Sequence, residues 1–268
     1  MGGEGRDHDG HAVHLRTRAP CHGGRGGGEA GRAAARPRRQ WVVWNPLIPF
    51  VSRRHRFIAP DFRGHGRSVF AGPFGVGMHA ADLAELIADE PPGSVVLVGH
   101  SFGATIGALL ASGWYGPKPA RVVAVGVKIH WSEEETARVQ GYAAKPGRVL
   151  ATHGEAAERY LKFSGLSGLA APHSAEAMAG VMLAENGFRV AVDNRVYAAF
   201  GHPPIETLLR LAAAPLHLAA GAQDAMVTLD EMRVLDPDAV AIPDAGHNAH
   251  WEKPEAVWRF VERCMGEG

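Results

Sequence analysis

Cysteine is scarce in this chain. Only Cys21 and Cys264 occur in 268 residues, near opposite ends, so neither a disulfide framework nor a Cys-x-x-Cys metal motif can be assembled. A reducing cytoplasm is the expected compartment, and no metal or organic cofactor is expected. Net charge is missing too: 28 Lys+Arg balance 28 Asp+Glu, so no overall field draws the chain toward nucleic acid or an anionic membrane. The expected partner is a small-molecule substrate. No apolar run approaches the ~18 residues that mark a membrane-spanning helix, and no signal-peptide core follows the N-terminus.

Large aliphatic residues are nearly absent from residues 1–40, which hold ten Gly and eight Arg but only Val13 and Leu15 of that kind. Such a segment has little to offset the ~1–2 kcal/mol of backbone entropy lost per ordered residue, so it is expected to be disordered and to contribute little strand. It has no aromatic interleaving for base stacking, which argues for a solvated tail rather than a nucleic-acid arm. The same composition is what GC-rich DNA encodes out of frame. From Trp41 onward the chain reads as a single α/β domain of ordinary core content.

The stretch VVLVGHSFGATIGALLA at 95–111 is the most informative part of what is there. Val95 to Val98 form a continuous β-branched and aliphatic run, suited to a parallel strand covered on both faces. Ala104 to Ala111 is small and helix-forming. Between them stands Gly99-His100-Ser101-Phe102-Gly103, a Gly-x-Ser-x-Gly turn that thrusts the serine out at the top of a sheet and at a helix N-terminus. There the helix dipole and the Phe102 backbone N–H can face an oxyanion. Ser101 is therefore the candidate nucleophile.

A nucleophilic serine needs a base, and the base an orienting carboxylate, in the chain order serine, acid, histidine. Residues 215–227, PLHLAAGAQDAMV, read as an apolar strand that breaks at Gly221 into a loop offering Asp224. Asp230, six residues on, reads as the start of a following helix. In VAIPDAGHNAHWEKPEAVWRF at 240–260, a short strand ends in a Gly-His turn ahead of a Pro-started helix that buries Val257, Phe260, Val261 and Cys264 at helical spacing. His247 is the candidate base, because Gly246 frees the turn just before it. His250 is its competitor.

Four ordered blocks, RFIAPDFRGHGRS at 56–68, GHSFG at 99–103, GAQDAMV at 221–227 and DAGHNAHWEKPEAV at 244–257, resemble the α/β-hydrolase superfamily, in its esterase, lactonase and cofactor-free haloperoxidase-like branch. The resemblance spans roughly residues 41–268. It implies a mostly parallel sheet flanked by helices, with Ser101 as nucleophile, Asp224 as acid and His247 as base. It also implies an acyl-enzyme route for a carboxylic ester, thioester or lactone. C–C bond hydrolysis and haloperoxidase-type activity use the same triad and remain alternatives. The family's His-Gly oxyanion loop would fall about ten residues before Trp44, where this chain has Ala33-Ala34-Ala35-Arg36; His22-Gly23-Gly24 lies further upstream. The second oxyanion donor is thus not identified, and a non-catalytic binder with an impaired oxyanion hole is the rival from another class.

Within the expected core, 41–131 and 206–268, Asp61 and Arg63 read as loop-holding residues, 78–90 as a helix and 121–127 as the next parallel strand. Residues 132–205 break this pattern. They carry capping-box signatures at Ser132/Glu135 and Thr152/Glu155 and show no strand pattern, so they read as a helical cap. By the resemblance such a cap shapes the substrate pocket, with Trp131, Met178, Met182 and Phe188 as candidate walls. Lys128 and His130 follow a strand's C-terminal end and could meet an anionic substrate group.

Overall fold

The computed structural model describes residues 12–17, as backbone, and residues 41–267. Its central sheet has six strands in the order β2-β1-β3-β4-β7-β8: β1 (Ala12–Thr17), β2 (His55–Ile58), β3 (Val95–His100), β4 (Arg121–Val125), β7 (Leu216–Gly221) and β8 (Val240–Ile242). Strands β3, β4, β7 and β8 run parallel, with Val98 opposite Val123 and Ala124 opposite Leu218. A two-stranded hairpin, β5 (Val181–Ala184) and β6 (Gly187–Val190), lies apart from it.

Parity along β3 shows how the sheet is covered. All six of its residues are buried, and successive side chains point to opposite faces. Val96 and Val98 pack with Trp44 and with Val257, Phe260 and Val261 of the helix Pro254–Met265. Val95 and Leu97 pack with Leu83 and Ile87, and with Ile106 and Leu110. A buried side chain of this kind is worth about 1.5–3 kcal/mol over an exposed one, so these two layers fix the sheet whose upper edge carries the site.

In chain order the helices are α1 (Ile48–Val51), α2 (Val76–Leu86), α3 (Phe102–Leu110), α4 (Glu133–Gln140), α5 (His153–Phe163), α6 (Ala175–Ala179), α7 (Ile205–Arg210), α8 (Leu229–Arg233), α9 (Ala249–Glu252) and α10 (Pro254–Met265). Both expected capping boxes are formed, Ser132 with Glu135 at α4 and Thr152 with Glu155 at α5. Pro254 opens α10 at its first position, where a missing N–H costs nothing.

Two expectations are corrected. Residues Ala12–Thr17 form a strand, although N-terminal strands were expected to be missing or disordered. This strand lies antiparallel between β2 and β3, pairing Leu15 with both Phe57 and Val96. Val13 and Leu15 are spaced two apart, and pairing on both edges satisfies the strand's backbone groups, a contribution that composition does not reveal. The other residues of 1–40 lie outside the described set. The second correction is the β5–β6 hairpin inside 132–205, where only helices were expected. Its Ala184–Gly187 register leaves Glu185-Asn186 as the turn, and Gly187 takes φ +145, a conformation open to glycine.

The loop after β2 is held by polar contacts. Arg63 Nε and Nη2 donate to the two Asp82 carboxylate oxygens, each at 2.6 Å, and the Arg67 N–H donates to Asp61 at 3.2 Å. Burial pushes the Asp61 carboxyl up to about 6, against the lowering effects of the Arg67 N–H, His65 and Arg67.

Close packing at the elbow makes one glycine indispensable. A Cβ on Gly99 would stand 2.6 Å from the Ala104 N and Cα, whereas one on Gly107 would meet Val122 Cγ1 at an ordinary 3.5 Å. Gly99→Ala is expected to destabilise the fold by about 2 kcal/mol or more, while Gly107→Ala stays within about 1 kcal/mol of wild type; urea unfolding of both variants measures the contrast. Asp61 yields a pH prediction. Its carboxyl titrates near 3.8 unfolded and about 6 folded, so the protonated form is favoured in the fold and stability falls as pH rises between those values. Wild type should therefore lose stability relative to Asp61→Asn from about pH 4 to about pH 6. A difference independent of pH would contradict this.

Candidate active site

Ser101 occupies the turn between β3 and α3 with φ 49 and ψ −117, a left-handed backbone that is strained for a residue with a side chain. Its N–H donates to the Val125 carbonyl at 3.0 Å, and its own carbonyl accepts from Ala104 N–H at 3.0 Å. The turn is thus tied to the end of β4 and to the first turn of α3. Ser101 is 8% exposed. Phe102 is the first residue of α3, where helix geometry leaves the N–H without an intrahelical acceptor.

Asp224 follows β7 in a turn closed by its N–H to the Gly221 carbonyl at 3.0 Å. Its side chain is fully buried, and both carboxylate oxygens are engaged: Oδ1 accepts from the Met226 N–H at 2.9 Å, and Oδ2 lies 2.8 Å from His247 Nδ1. This contact places the proton of a neutral His247 on Nδ1 and leaves Nε2 as the basic nitrogen. Asp230 stands in the first turn of α8, 94% exposed and 3.6 Å from Arg233, consistent with a helix-start residue.

His247 lies in the loop between β8 and α9. The Gly246 N–H donates to Glu252 Oε2 at 2.8 Å, and His100 Nε2 lies 2.9 Å from the His247 carbonyl. The His100 and His247 rings are 4.8 Å apart. His250 is buried, 1% exposed, with its ring 4.5 Å from those of both His100 and Trp44. Asp224 is thus the carboxylate at His247, while the His250 ring packs against His100 and Trp44.

Several supporting residues escaped the sequence reading. His100 and Glu252 brace the histidine loop from two sides. Asn248 Nδ2 donates to the Ser164 and Gly165 carbonyls at 3.3 and 3.2 Å, joining that loop to the end of α5. Gly221 and Gly126 permit close approach: a Cβ on Gly221 would meet the Gly246 carbonyl oxygen at 2.1 Å, and one on Gly126 the His247 carbonyl oxygen at 3.0 Å. Local signals existed for the two glycines, which end apolar strands, but none for the long-range partners.

A small cleft of about 20 Å³ opens at Ser101, walled by Phe102, Lys128, Trp131, Phe200 and Ile205 among others. Lys128 Nζ is bonded to Glu135 Oε1 at 2.5 Å, and this ammonium holds the Glu135 carboxyl below its ordinary value, aided by the Ser132 N–H. His130 borders a separate hollow. Met178, Met182 and Phe188 are not among the walls of this cleft: Met182 and Phe188 belong to the β5–β6 hairpin, and Met178 is 39% exposed on α6. On the other side of the elbow, the His79 ring packs 5.4 Å from Phe102 and from Phe62. Burial drives its pKa down to about 3, so it is a neutral support for Phe102.

Among the described residues no three His, Cys, Asp or Glu side chains gather as metal ligands would, and no helix is long and apolar enough to cross a membrane. The segments Ala33-Ala34-Ala35-Arg36 and His22-Gly23-Gly24, to which the oxyanion loop was referred, lie outside the described residues.

Comparison with known proteins places this geometry in context. The structure is similar to that of E-2-(acetamidomethylene)succinate hydrolase, with a TM-score of 0.68 and 22% identity over 84% of this chain and 87% of that one. It is also similar to a thermophilic esterase from Thermogutta terrifontis, with a TM-score of 0.62 and 21% identity over 84% and 85% of the two chains. At these identities the likeness is one of fold. A segment of 54 residues is 44% identical to lipase LipV of Mycobacterium tuberculosis, covering 20% of this chain and only 21% of that lipase. The model of the alpha/beta hydrolase family matches residues 21–260, and with a match over most of its length the chain belongs to that family.

Proposed function

We propose that the chain is a serine hydrolase that cleaves a small-molecule carboxylic ester, thioester or lactone through an acyl-enzyme on Ser101. The observation that carries the proposal is the 2.8 Å contact between His247 Nδ1 and a fully buried Asp224 carboxylate, at the same sheet edge as a serine held in a strained turn. A histidine so anchored presents its other nitrogen as a base. The esterase and lipase among its relatives agree in kind.

In this reading His247 Nε2 takes the Ser101 hydroxyl proton as Oγ attacks the carbonyl carbon, and the resulting oxyanion is met by the Phe102 N–H. Collapse of the tetrahedral species breaks the bond to the leaving alkoxide or thiolate, which receives the proton from His247. Water then adds to the acyl-enzyme with His247 again as base, releasing the carboxylic acid and restoring Ser101. Asp224 holds the tautomer and stabilises the imidazolium that forms twice in the cycle. Residues 132–205 act as a cap, contributing Phe200 to the cleft at Ser101. Burial pushes the Cys264 thiol up to about 11, which makes it a poor nucleophile at neutral pH.

Kinetics on p-nitrophenyl butyrate test the proposal. Ser101→Ala should lower kcat by on the order of 10⁶-fold, or to background, with unchanged circular dichroism. His247→Ala should cost far more than His250→Gln, because the buried Asp224 carboxylate holds the His247 ring. An active wild type whose Ser101→Ala variant keeps most of its rate, or equal losses at the two histidines, would contradict the assignment.

A further inference from the structure

His100 ends β3 and stands directly before Ser101 in the chain. Its side chain is buried and is not among the walls of the cleft at Ser101, so it has no part in the chemistry proposed above. What it does touch is the base. His100 Nε2 lies 2.9 Å from the His247 carbonyl oxygen, and because a carbonyl can only accept, this ring nitrogen carries the proton and donates it. The rings of His247 and His250, at 4.8 and 4.5 Å, pack against the imidazole and hold it in place.

Gly126, just after β4, leaves room for that bond. A Cβ there would stand 3.0 Å from the His247 carbonyl oxygen and 3.1 Å from His100 Nε2, crowding donor and acceptor together. The surrounding backbone is fastened as well. The Gly126 N–H donates to the Ala219 carbonyl of β7 at 2.8 Å, and the Ser101 N–H donates to the Val125 carbonyl of β4 at 3.0 Å, so the ends of three strands are tied where His100 reaches His247.

The Asp224 contact fixes one atom of the His247 ring, Nδ1. A ring held at one point can still swing, so the direction of Nε2 depends on where the His247 backbone is held. We infer that His100 is a positioning residue, which sets the approach of His247 Nε2 to Ser101 by donating its own Nε2–H to the His247 carbonyl. This rests on the serine-hydrolase reading. The bond starts from the residue next to the nucleophile, so it ties base to nucleophile through a single side chain. Its loss should fall on kcat rather than KM, since a misplacement of order 1 Å costs about 100-fold in rate.

The test compares His100→Met with His100→Gln, side chains of similar length of which only glutamine ends in an N–H donor. On p-nitrophenyl butyrate, His100→Met should lower kcat by about tenfold or more with KM within about threefold of wild type, and His100→Gln should restore most of that loss. An unchanged kcat in His100→Met, a loss confined to KM, or equal losses in the two variants overturns the positioning role while leaving the Ser101 reading intact. Should wild type not hydrolyse the ester, the hydrolase reading fails, and deuterium exchange of the backbone amides of residues 244–249 decides the positioning. Exchange faster by about tenfold in His100→Met, confined to that loop and reversed in His100→Gln, supports it. Wild-type exchange in His100→Met overturns it. Gly126→Ala, which sets a methyl group against both partners of the bond, carries the kcat and exchange measurements if His100→Met does not fold.

Discussion

Helix α3 leaves strand β3 so abruptly at Ser101 that the backbone of Ala104 stands within 2.6 Å of where a Cβ on Gly99 would be. That approach is what turns Ser101 to φ 49 and anchors its N–H on the end of β4. The strain costs of order 1–3 kcal/mol and persists because β3 and α3 are buried on all sides, with Leu97, Ile106 and Leu110 in one continuous layer. Loosening that layer would relax the turn, and the serine would lose its place at the helix N-terminus. The same economy of space recurs across the sheet edge, where a Cβ on Gly221 would collide with the Gly246 carbonyl oxygen at 2.1 Å. The acid loop and the histidine loop can touch only because that position has no side chain.

Around these contacts the molecule builds a chain of supports for the proposed base. The Asp224 carboxylate faces one ring nitrogen, His100 faces the His247 carbonyl, and Glu252 holds the preceding Gly246 N–H. Asn248 extends the chain to the residues that follow α5. The inserted segment is fastened at a second place, where Gly66 N–H donates to Ala191 and Asp193 N–H to Gly64, both at 2.7 Å. The inserted segment is thus mechanically connected, through Asn248, to the loop that carries His247. Geometry of this kind matters because misplacing a base by an ångström costs about 100-fold in rate.

Much of this was legible in the chain. The elbow was readable because Gly-x-Ser-x-Gly falls between a β-branched run and an alanine-rich helix, and the Asp224–His247 contact because Asp224 follows a strand that ends at Gly221 and His247 follows Gly246 in the turn after a short apolar strand. The α10 face was readable from its spacing. What stayed hidden depended on pairing across long separations. Strand β1 has two large apolar residues and is held by backbone pairing on both edges, so composition argued against it. The β5–β6 hairpin has four residues per strand and follows two strong helix-capping signals. The roles of His100, Asn248 and Glu252 depend on neighbours brought together only by the fold. Helix ends differ modestly, with α2 at Val76–Leu86 against an expected 78–90, because the last turn unwinds toward the Pro91-Pro92 pair.

The central claim is that Ser101 is made nucleophilic by a histidine held on a buried carboxylate. Its most direct test is peptide mapping by mass spectrometry after treatment with a fluorophosphonate, which phosphonylates a serine only when a base removes the hydroxyl proton during attack. A single adduct on Ser101, abolished in His247→Ala, is the predicted result. No adduct on the wild-type protein, or an adduct on another residue with Ser101 untouched, would contradict it.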